Sequence, residues 1–391
     1  MEDAVNKGMN RRTFIKAGMV GTATLMATPV LAGTLQQLAA AEPASSPQPL
    51  YRTLGRTGLK ISVVSFGAML TPEPEVIRAA IDQGVNYIDT ARKYMGGKNE
   101  EIVGKAVKGM RDKLYIATKT SPESQSKVDI IRDVETSLKA LGTDHIDVIQ
   151  LHHLTGRERI FNAETREALT LLKKQGKVRF CGVTTHKNEV EVLNGLVDDP
   201  DRFFDTCLVK YNFKSDPTVS AAIDRAASAG IGIIAMKTLI GGYDTTGLGR
   251  ISAHQAALKW ALQNPKVTAA IAGMKDMGQL REDVAVMGMS FSYADRRRLE
   301  RYTEAIAPYY CHFCGSCEGG CPRGVEISTV NRALMYAEGG YRDLALARAT
   351  YAELPPAARA AACLDCGSCS ARCVNGLDIA AKMERARAVL S

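Results

Sequence analysis

The sequence contains no G-x-G-x-x-G, and its most apolar early run, Ala17 to Ala32, falls short of the roughly 20 residues a membrane-spanning helix needs. The first absence removes the usual support for a dinucleotide-binding open sheet. The second makes a membrane anchor the weaker reading of the N-terminus. Extremes of composition are missing too. With 46% hydrophobic and 24% charged residues, disorder is not the default, and 391 residues suit one large domain plus a small one. The formal charge of +8 makes no case for nucleic acid. Lys7, Arg11, Arg12 and Lys16 against Glu2 and Asp3 give residues 1–41 a charge of +2, so the remainder carries 8 − 2 = +6.

What is present begins with alternation. From Ser62 onward, β-branched runs alternate with segments of helical spacing. The strand candidates are VVSFG (63–67), VNYID (85–89), LYIAT (114–118), IDVIQL (146–151), VRFCGV (178–183), TCLVK (206–210), IGIIA (231–235) and VTAAIA (267–272). EVIRAAIDQG (75–84) and KVDIIRDVETSLKALG (127–142) read as helices that stop at Gly84 and Gly142. Eight strand–helix units over roughly 240 residues predict an α/β fold, an eight-stranded parallel (β/α)8 TIM barrel. YRTLGRTGLKI (51–61) reads as a short hairpin turning at Gly55 to Gly58, placed to close the barrel's bottom. The expected order is a signal segment over 1–41, a proline-bearing linker over 42–50, the barrel over 51–300 and a small, mainly α-helical domain over 301–391.

Chemistry in such barrels sits at the C-terminal ends of strands. Asp89 closes the second run, Tyr94 lies in its loop, Lys119 follows the third and His152 ends the fourth. Singly, each has an ordinary structural reading: a rim ion pair for Asp89 and Lys119, a loop cap for Tyr94, a hydrogen-bonded core imidazole for His152. His153 points the opposite way along an extended strand and reads as structural. Together the four residues, with DTARKYMGGKNEEIVGKAV around Tyr94, resemble the aldo-keto reductase family over about residues 51 to 290. The resemblance implies a catalytic tetrad that reduces a small-molecule carbonyl or oxidises an alcohol. On that resemblance hydride would come from NAD(P)(H), and Tyr94 would give the proton. Lys119, held charged by Asp89, would stabilise the phenolate and lower the phenol's pKa. His152 would donate a hydrogen bond to the carbonyl oxygen.

The same resemblance implies that Gly67, Thr184, Thr185, Met236, Lys237, Gly273, Lys275 and Gln279 bind the cofactor. Several depart from the family pattern. Thr184-Thr185 stand where the family carries Ser-Asn, Leu208 where it carries glutamine, and Met236 where an aromatic ring stacks on the nicotinamide. Gln279 takes the place of an arginine for the NADP 2′-phosphate, with Lys275 and Arg281 the nearest cations. Threonine can still bond an amide and methionine can pack on a ring. Nicotinamide use is expected, and a preference for NADP over NAD has no support in these residues.

Near the C-terminus, Cys311, Cys314, Cys317 and Cys321 follow C-x2-C-x2-C-x3-C with Pro322 next. Cys363, Cys366, Cys369 and Cys373 repeat the spacing, with Val374 in place of the proline. This is the bacterial ferredoxin run for two [4Fe–4S] clusters, in which the fourth cysteine of each run ligates the other cluster. Structural zinc has no use for a third cysteine at that spacing, and if Arg11-Arg12 mark the chain for export in the folded state, it has little chance to form disulfides first. Cys181 and Cys207 lie in strand patterns and read as buried small hydrophobes. Between the runs lie 363 − 321 − 1 = 41 residues, read as helices broken at Gly339-Gly340 and Pro355-Pro356. That insert resembles the α-helical ferredoxin domain of respiratory-type iron–sulfur subunits. Two clusters would bring the net charge to about +2.

NRRTFIK, with Arg11 and Arg12 paired ahead of the weakly apolar run, resembles a twin-arginine signal, with small-residue cleavage sites after Ala32 and Ala41. That implies the twin-arginine translocase as a transient partner and a periplasmic or otherwise exported protein, membrane-associated if the signal is uncleaved. Two functions follow. One is a reductase coupled through its clusters to an electron-transfer partner. The other is an iron–sulfur electron-transfer or docking protein that uses a reductase barrel as scaffold. Purely structural clusters are a third, blander reading.

Overall fold

The computed structural model describes residues 50–241, 253–307, 310–338 and 341–391. The export-signal expectation and nearly all of the linker fall outside them, as does the Gly339-Gly340 break. Pro47–Ser391 form one compact unit. Among the described residues no helix is long and apolar enough to cross a membrane.

A two-stranded antiparallel hairpin, β1 (Tyr51–Thr53) and β2 (Lys60–Ser62), precedes the barrel. Eight parallel strands then close on one another: β3 (Val64–Gly67), β4 (Tyr87–Asp89), β5 (Tyr115–Lys119), β6 (Ile146–Leu154), β7 (Val178–Thr185), β8 (Thr206–Lys210), β9 (Gly232–Met236) and β10 (Ala269–Gly273), with β10 pairing back to β3. Helices α1 (Pro74–Asp82), α2 (Asn99–Val107), α3 (Lys127–Leu141), α4 (Ala163–Lys174), α5 (Glu189–Asp198), α6 (Pro217–Ser228), α7 (Ala253–Leu262) and α8 (Met277–Val284) follow the strands in turn. The parallel barrel is as expected. Gly142 caps α3 in the left-handed region at φ 63°, a conformation that favours glycine.

The hairpin does close the bottom. Leu54 is fully buried and packs with Leu59, Ile61, Tyr87, Ala117, Val148, Leu208, Ile234 and Ala269, the inward layer of the barrel. Arg56 N–H donates to the Gly230 carbonyl at 2.8 Å, just before β9. Contact there is so close that a Cβ on Gly55 would lie 2.3 Å from the Gly232 nitrogen.

The tail is helical: α9 (Tyr293–Ile306), α10 (Ile327–Glu338), α11 (Leu344–Ala352) and α12 (Ile379–Leu390). Residue 300 lies inside α9, so the barrel–tail division expected there falls within a helix. The tail has its own apolar core, which also takes in Ile240 and Ala253 and packs Met69, Phe213 and Leu239 of the barrel.

Candidate active site and cysteine pockets

Inward positions recur every second residue along a strand. Tyr87 and Ala117 face the barrel's inner layer, and Asp89 and Lys119 stand one step above them. Val148 is followed by Gln150 and then His152 on the same inward line. This stacking gathers the tetrad at the C-terminal end. Lys119 Nζ bonds Asp89 and donates to the Thr90 carbonyl at 2.8 Å. Gln150 Nε2 donates to the second Asp89 oxygen at 2.8 Å. Tyr94 sits over the ammonium, with Nζ 4.7 Å from its ring centre, and its ring meets His152 edge-on at 6.1 Å. Gln150 is absent from the sequence-based site. Its signal was its place two residues before His152.

The electrostatics follow from burial. Burial lowers the Lys119 ammonium, but Asp89 and Tyr94 outweigh it and hold the pKa above the ordinary lysine value. Burial raises the Asp89 carboxyl against the pull of Lys119. Tyr94 differs from the expectation. Burial raises the phenol, and Lys119 offsets this only in part, so its pKa stays above the ordinary value. The phenol is therefore protonated at neutral pH, which is the form that donates. His152 is held well below the ordinary imidazole range by burial and then by Lys119, so it is neutral and offers a single N–H.

His153 departs from the extended geometry assumed for it. Between the paired residues Leu151↔Val183 and Leu154↔Thr185, β6 has one residue more than β7, a bulge. His153 takes φ 56° there, and its N–H donates to Thr184 Oγ1 at 2.8 Å. Its ring lies 5.1 Å from that of His186 rather than packing into the core.

Beside the tetrad, where Gly67 pairs with Asp89, runs a cleft of about 340 Å³ lined by Gly67, Met236, Lys237, Gly273, Lys275 and Gln279, and also by Met335, Tyr336 and Tyr341 of the tail. Six of the eight expected cofactor residues therefore meet in one cleft. Thr184 and Thr185 are fully buried and do not line it. Their hydroxyls serve the His153 amide and the Lys187 carbonyl. Gln279 Oε1 accepts from the Lys275 amide at 2.8 Å.

The cysteines fall into two neighbourhoods that cross the two runs. A cavity of about 240 Å³ is walled by Cys321, Cys363, Cys366 and Cys369. The Cys311 thiol, pushed up to about 12 mainly by burial, is raised further by Cys317, Cys314 and Cys373. Cys363 is raised by burial and then by Cys321, Cys366 and Cys369. Phe313 N–H and Asn375 N–H donate to the sulfurs of Cys311 and Cys373, each at 3.4 Å. Among the described residues, no three His, Cys, Asp or Glu side chains converge to hold a single metal ion. Cys181 and Cys207 are fully buried in the barrel, and burial raises both thiols.

Comparison with known proteins bears on the barrel. A sequence profile of the aldo/keto reductase family matches residues 73–249. Aldo-keto reductase YhdN of Bacillus subtilis is 38% identical over 160 residues, 36% of this chain and 48% of YhdN, so the chain spans about half of that relative's length. Oxidoreductase YrpG of the same species is 30% identical over 300 residues, 61% of this chain and 91% of YrpG. The structure of aldo-keto reductase AKR11C1 from Bacillus halodurans superposes with a TM-score of 0.54 at 25% identity, covering 65% of this chain and 96% of that one. Identity sustained across nearly all of YrpG exceeds what a common barrel alone demands, and the chain belongs to the aldo/keto reductase family.

Proposed function

We propose that this chain interconverts a small carbonyl compound and its alcohol, with hydride from a nicotinamide, and exchanges electrons with a partner protein through two [4Fe–4S] clusters in its tail. The observation that carries the first part is the meeting of Tyr94, Lys119, Asp89 and His152 at one barrel mouth. The Tyr94 hydroxyl gives its proton to the carbonyl oxygen, and the Lys119 ammonium stabilises the phenolate left behind. His152 N–H bonds the same oxygen as negative charge builds on it. The reverse reaction uses the same groups.

The cleft supports a nicotinamide. Its volume of about 340 Å³ lies in the range of small-molecule sites. The bare backbone of Gly67 and Gly273, the Met236 thioether and the cation Lys275 suit a flat ring with an anionic extension. Bound there, the nicotinamide would supply the hydride.

The tail supports clusters. Four thiols surround a cavity rather than converge on a point, which suits a multi-atom cage better than one zinc ion. The crossed membership, with Cys321 joining the second run and Cys373 the first, is the ferredoxin pattern. N–H···S bonds to Cys311 and Cys373 favour thiolate. Such clusters supply one-electron transfers, and two of them match in number the two electrons of a hydride. The paired Arg11 and Arg12 support export in the folded state by the twin-arginine route to the periplasm.

The test is Tyr94→Phe in anaerobically purified protein. Carbonyl reduction should fall by about 10²- to 10⁴-fold while iron–sulfide absorbance is unchanged. Retained turnover would overturn the enzymatic reading and leave the second one, an electron-transfer or docking protein on a barrel scaffold. That alternative is favoured by the engagement of the Thr184 hydroxyl with His153. Absence of bound nicotinamide together with no spectral response to NADH or NADPH would remove the cofactor.

A further inference from the structure

The tail contributes more to the barrel mouth than cysteines. Arg332, on α10, is only 11% exposed, yet its Nε is buried without a hydrogen-bond partner. Its nearest carboxylate, Glu353, lies 3.5 Å from Nη2, a long contact for an ion pair. Arg332 faces a cavity of about 240 Å³ between tail and barrel, lined also by His153, His186, Lys210, Lys237 and Phe313.

The anions around this cavity are largely engaged. Lys187 pairs with Glu318, which also accepts from Ser328. Lys210 pairs with Glu189 at 2.7 Å. Glu326, on the wall, accepts from Thr329 at 3.1 Å. Among the described residues no carboxylate pairs with Lys237, whose Nζ instead sits 5.4 Å from the Phe313 ring centre. Nδ1 of His186 is likewise buried and unpartnered. A guanidinium Nε, a lysine amine and an imidazole nitrogen thus share one enclosed space, and among the described residues the one carboxylate that pairs with Arg332 is Glu353, through Nη2 at the long distance of 3.5 Å. Buried nitrogens left without partners are costly, and burial together with Arg332 and Lys210 holds the Lys237 amine well below the ordinary lysine range, so an arriving anion would both meet these donors and favour the charged lysine. The space adjoins the reaction centre: the field of Arg332 reaches His152, which senses Lys119 as well.

We propose that Arg332 and Lys237 bind an oxyanion, a carboxylate or phosphate, carried by the carbonyl substrate itself. The substrate class is then an aldehyde or ketone bearing an acidic group at one end, with its carbonyl at Tyr94 and its charge under α10. The assignment rests on the reductase reading, and a planar bidentate donor such as arginine fits it.

The experiment uses anaerobically purified, cluster-loaded protein and two matched aldehydes, 4-carboxybenzaldehyde and its amide. Wild type should prefer the acid, and Arg332→Met should cut that preference in kcat/KM by roughly 30-fold or more, chiefly through KM. Arg332→Lys should restore part of it. Malonate, titrated calorimetrically, should bind wild type and not Arg332→Met, and should inhibit competitively against the aldehyde. Equal use of acid and amide by wild type, or an unchanged preference in Arg332→Met, overturns the inference and leaves the reductase reading standing. Malonate competing against the nicotinamide alone assigns the cavity to the cofactor's phosphates and also overturns it. Arg332-dependent malonate binding in a protein that reduces neither aldehyde supports the anion site while sinking the reductase reading.

Discussion

Lys119 Nζ lies 4.7 Å from the centre of the Tyr94 ring while it donates to the Thr90 carbonyl at 2.8 Å and bonds Asp89. One ammonium is thus shared by the proposed proton donor and by the groups that keep it charged. Lys119→Met should lower kcat for carbonyl reduction by about 10²-fold or more, and Asp89→Asn by less, because asparagine still accepts from the amine. A pH–rate profile checks it: the basic limb should move upward in Lys119→Met, since removal of the cation leaves burial unopposed on Tyr94.

Gln150 holds the other Asp89 oxygen from inside the barrel. Gln150→Leu should cost about 1–3 kcal/mol by leaving a buried carboxylate oxygen unmet. Urea unfolding followed by Trp260, which packs 4.9 Å from Tyr211 on the barrel, reads this directly.

At the barrel's bottom, Gly55 (φ 48°) and Gly232 touch backbone to backbone. Gly55→Ala should destabilise by about 1–3 kcal/mol or more through overpacking and a strained φ. Gly273→Ala, where a new Cβ meets nothing within 4 Å, should unfold near the wild-type midpoint.

The proposed crossed ligation makes a prediction that grouping the cysteines by their order along the chain would get wrong. Cys321→Ser should abolish the cluster held by the second run, and Cys373→Ser the one held by the first. Iron content in each should fall to half, and the two variants should leave different residual paramagnetic spectra. Loss of the same cluster in both would refute the crossing.

Burial pushes His153 down to about 3 from its ordinary 6.5, and lowers His152 and His186 as well. The unfolded chain therefore takes up these protons first as pH falls. This contribution to stability is complete above about pH 6.5 and is lost progressively towards pH 3. The urea midpoint should drop across that window, and His153→Asn, which tolerates the φ of 56°, should flatten the slope.

Alternation made the barrel and the tetrad legible. Asp89, Lys119 and His152 stand at strand ends because inward residues recur at steps of two, and a pattern of step two is readable without coordinates. The bulge after Leu151 was not, because a single extra residue is defined only against its partner strand. His153 was misjudged for that reason. The net rise of the Tyr94 pKa was missed because a neighbouring cation shows in a motif while depth of burial does not. Thr184 matched a cofactor position by order but lies fully buried, its oxygen accepting from the His153 amide. Arg332 had no local signal at all: its importance comes from α10 lying across a barrel whose last strand closes 54 residues earlier, at Gly273, before α10 begins at Ile327 (327 − 273 = 54).

The floor of the reaction chamber and its ceiling come from different stretches of chain. The family profile ends at residue 249, whereas Arg332, Met335, Tyr336 and Tyr341 overhang the opening from beyond it. The contour a reactant must match is therefore drawn partly by residues outside the family profile, and lopping off the tail would unroof the chamber as well as remove its eight clustered thiols.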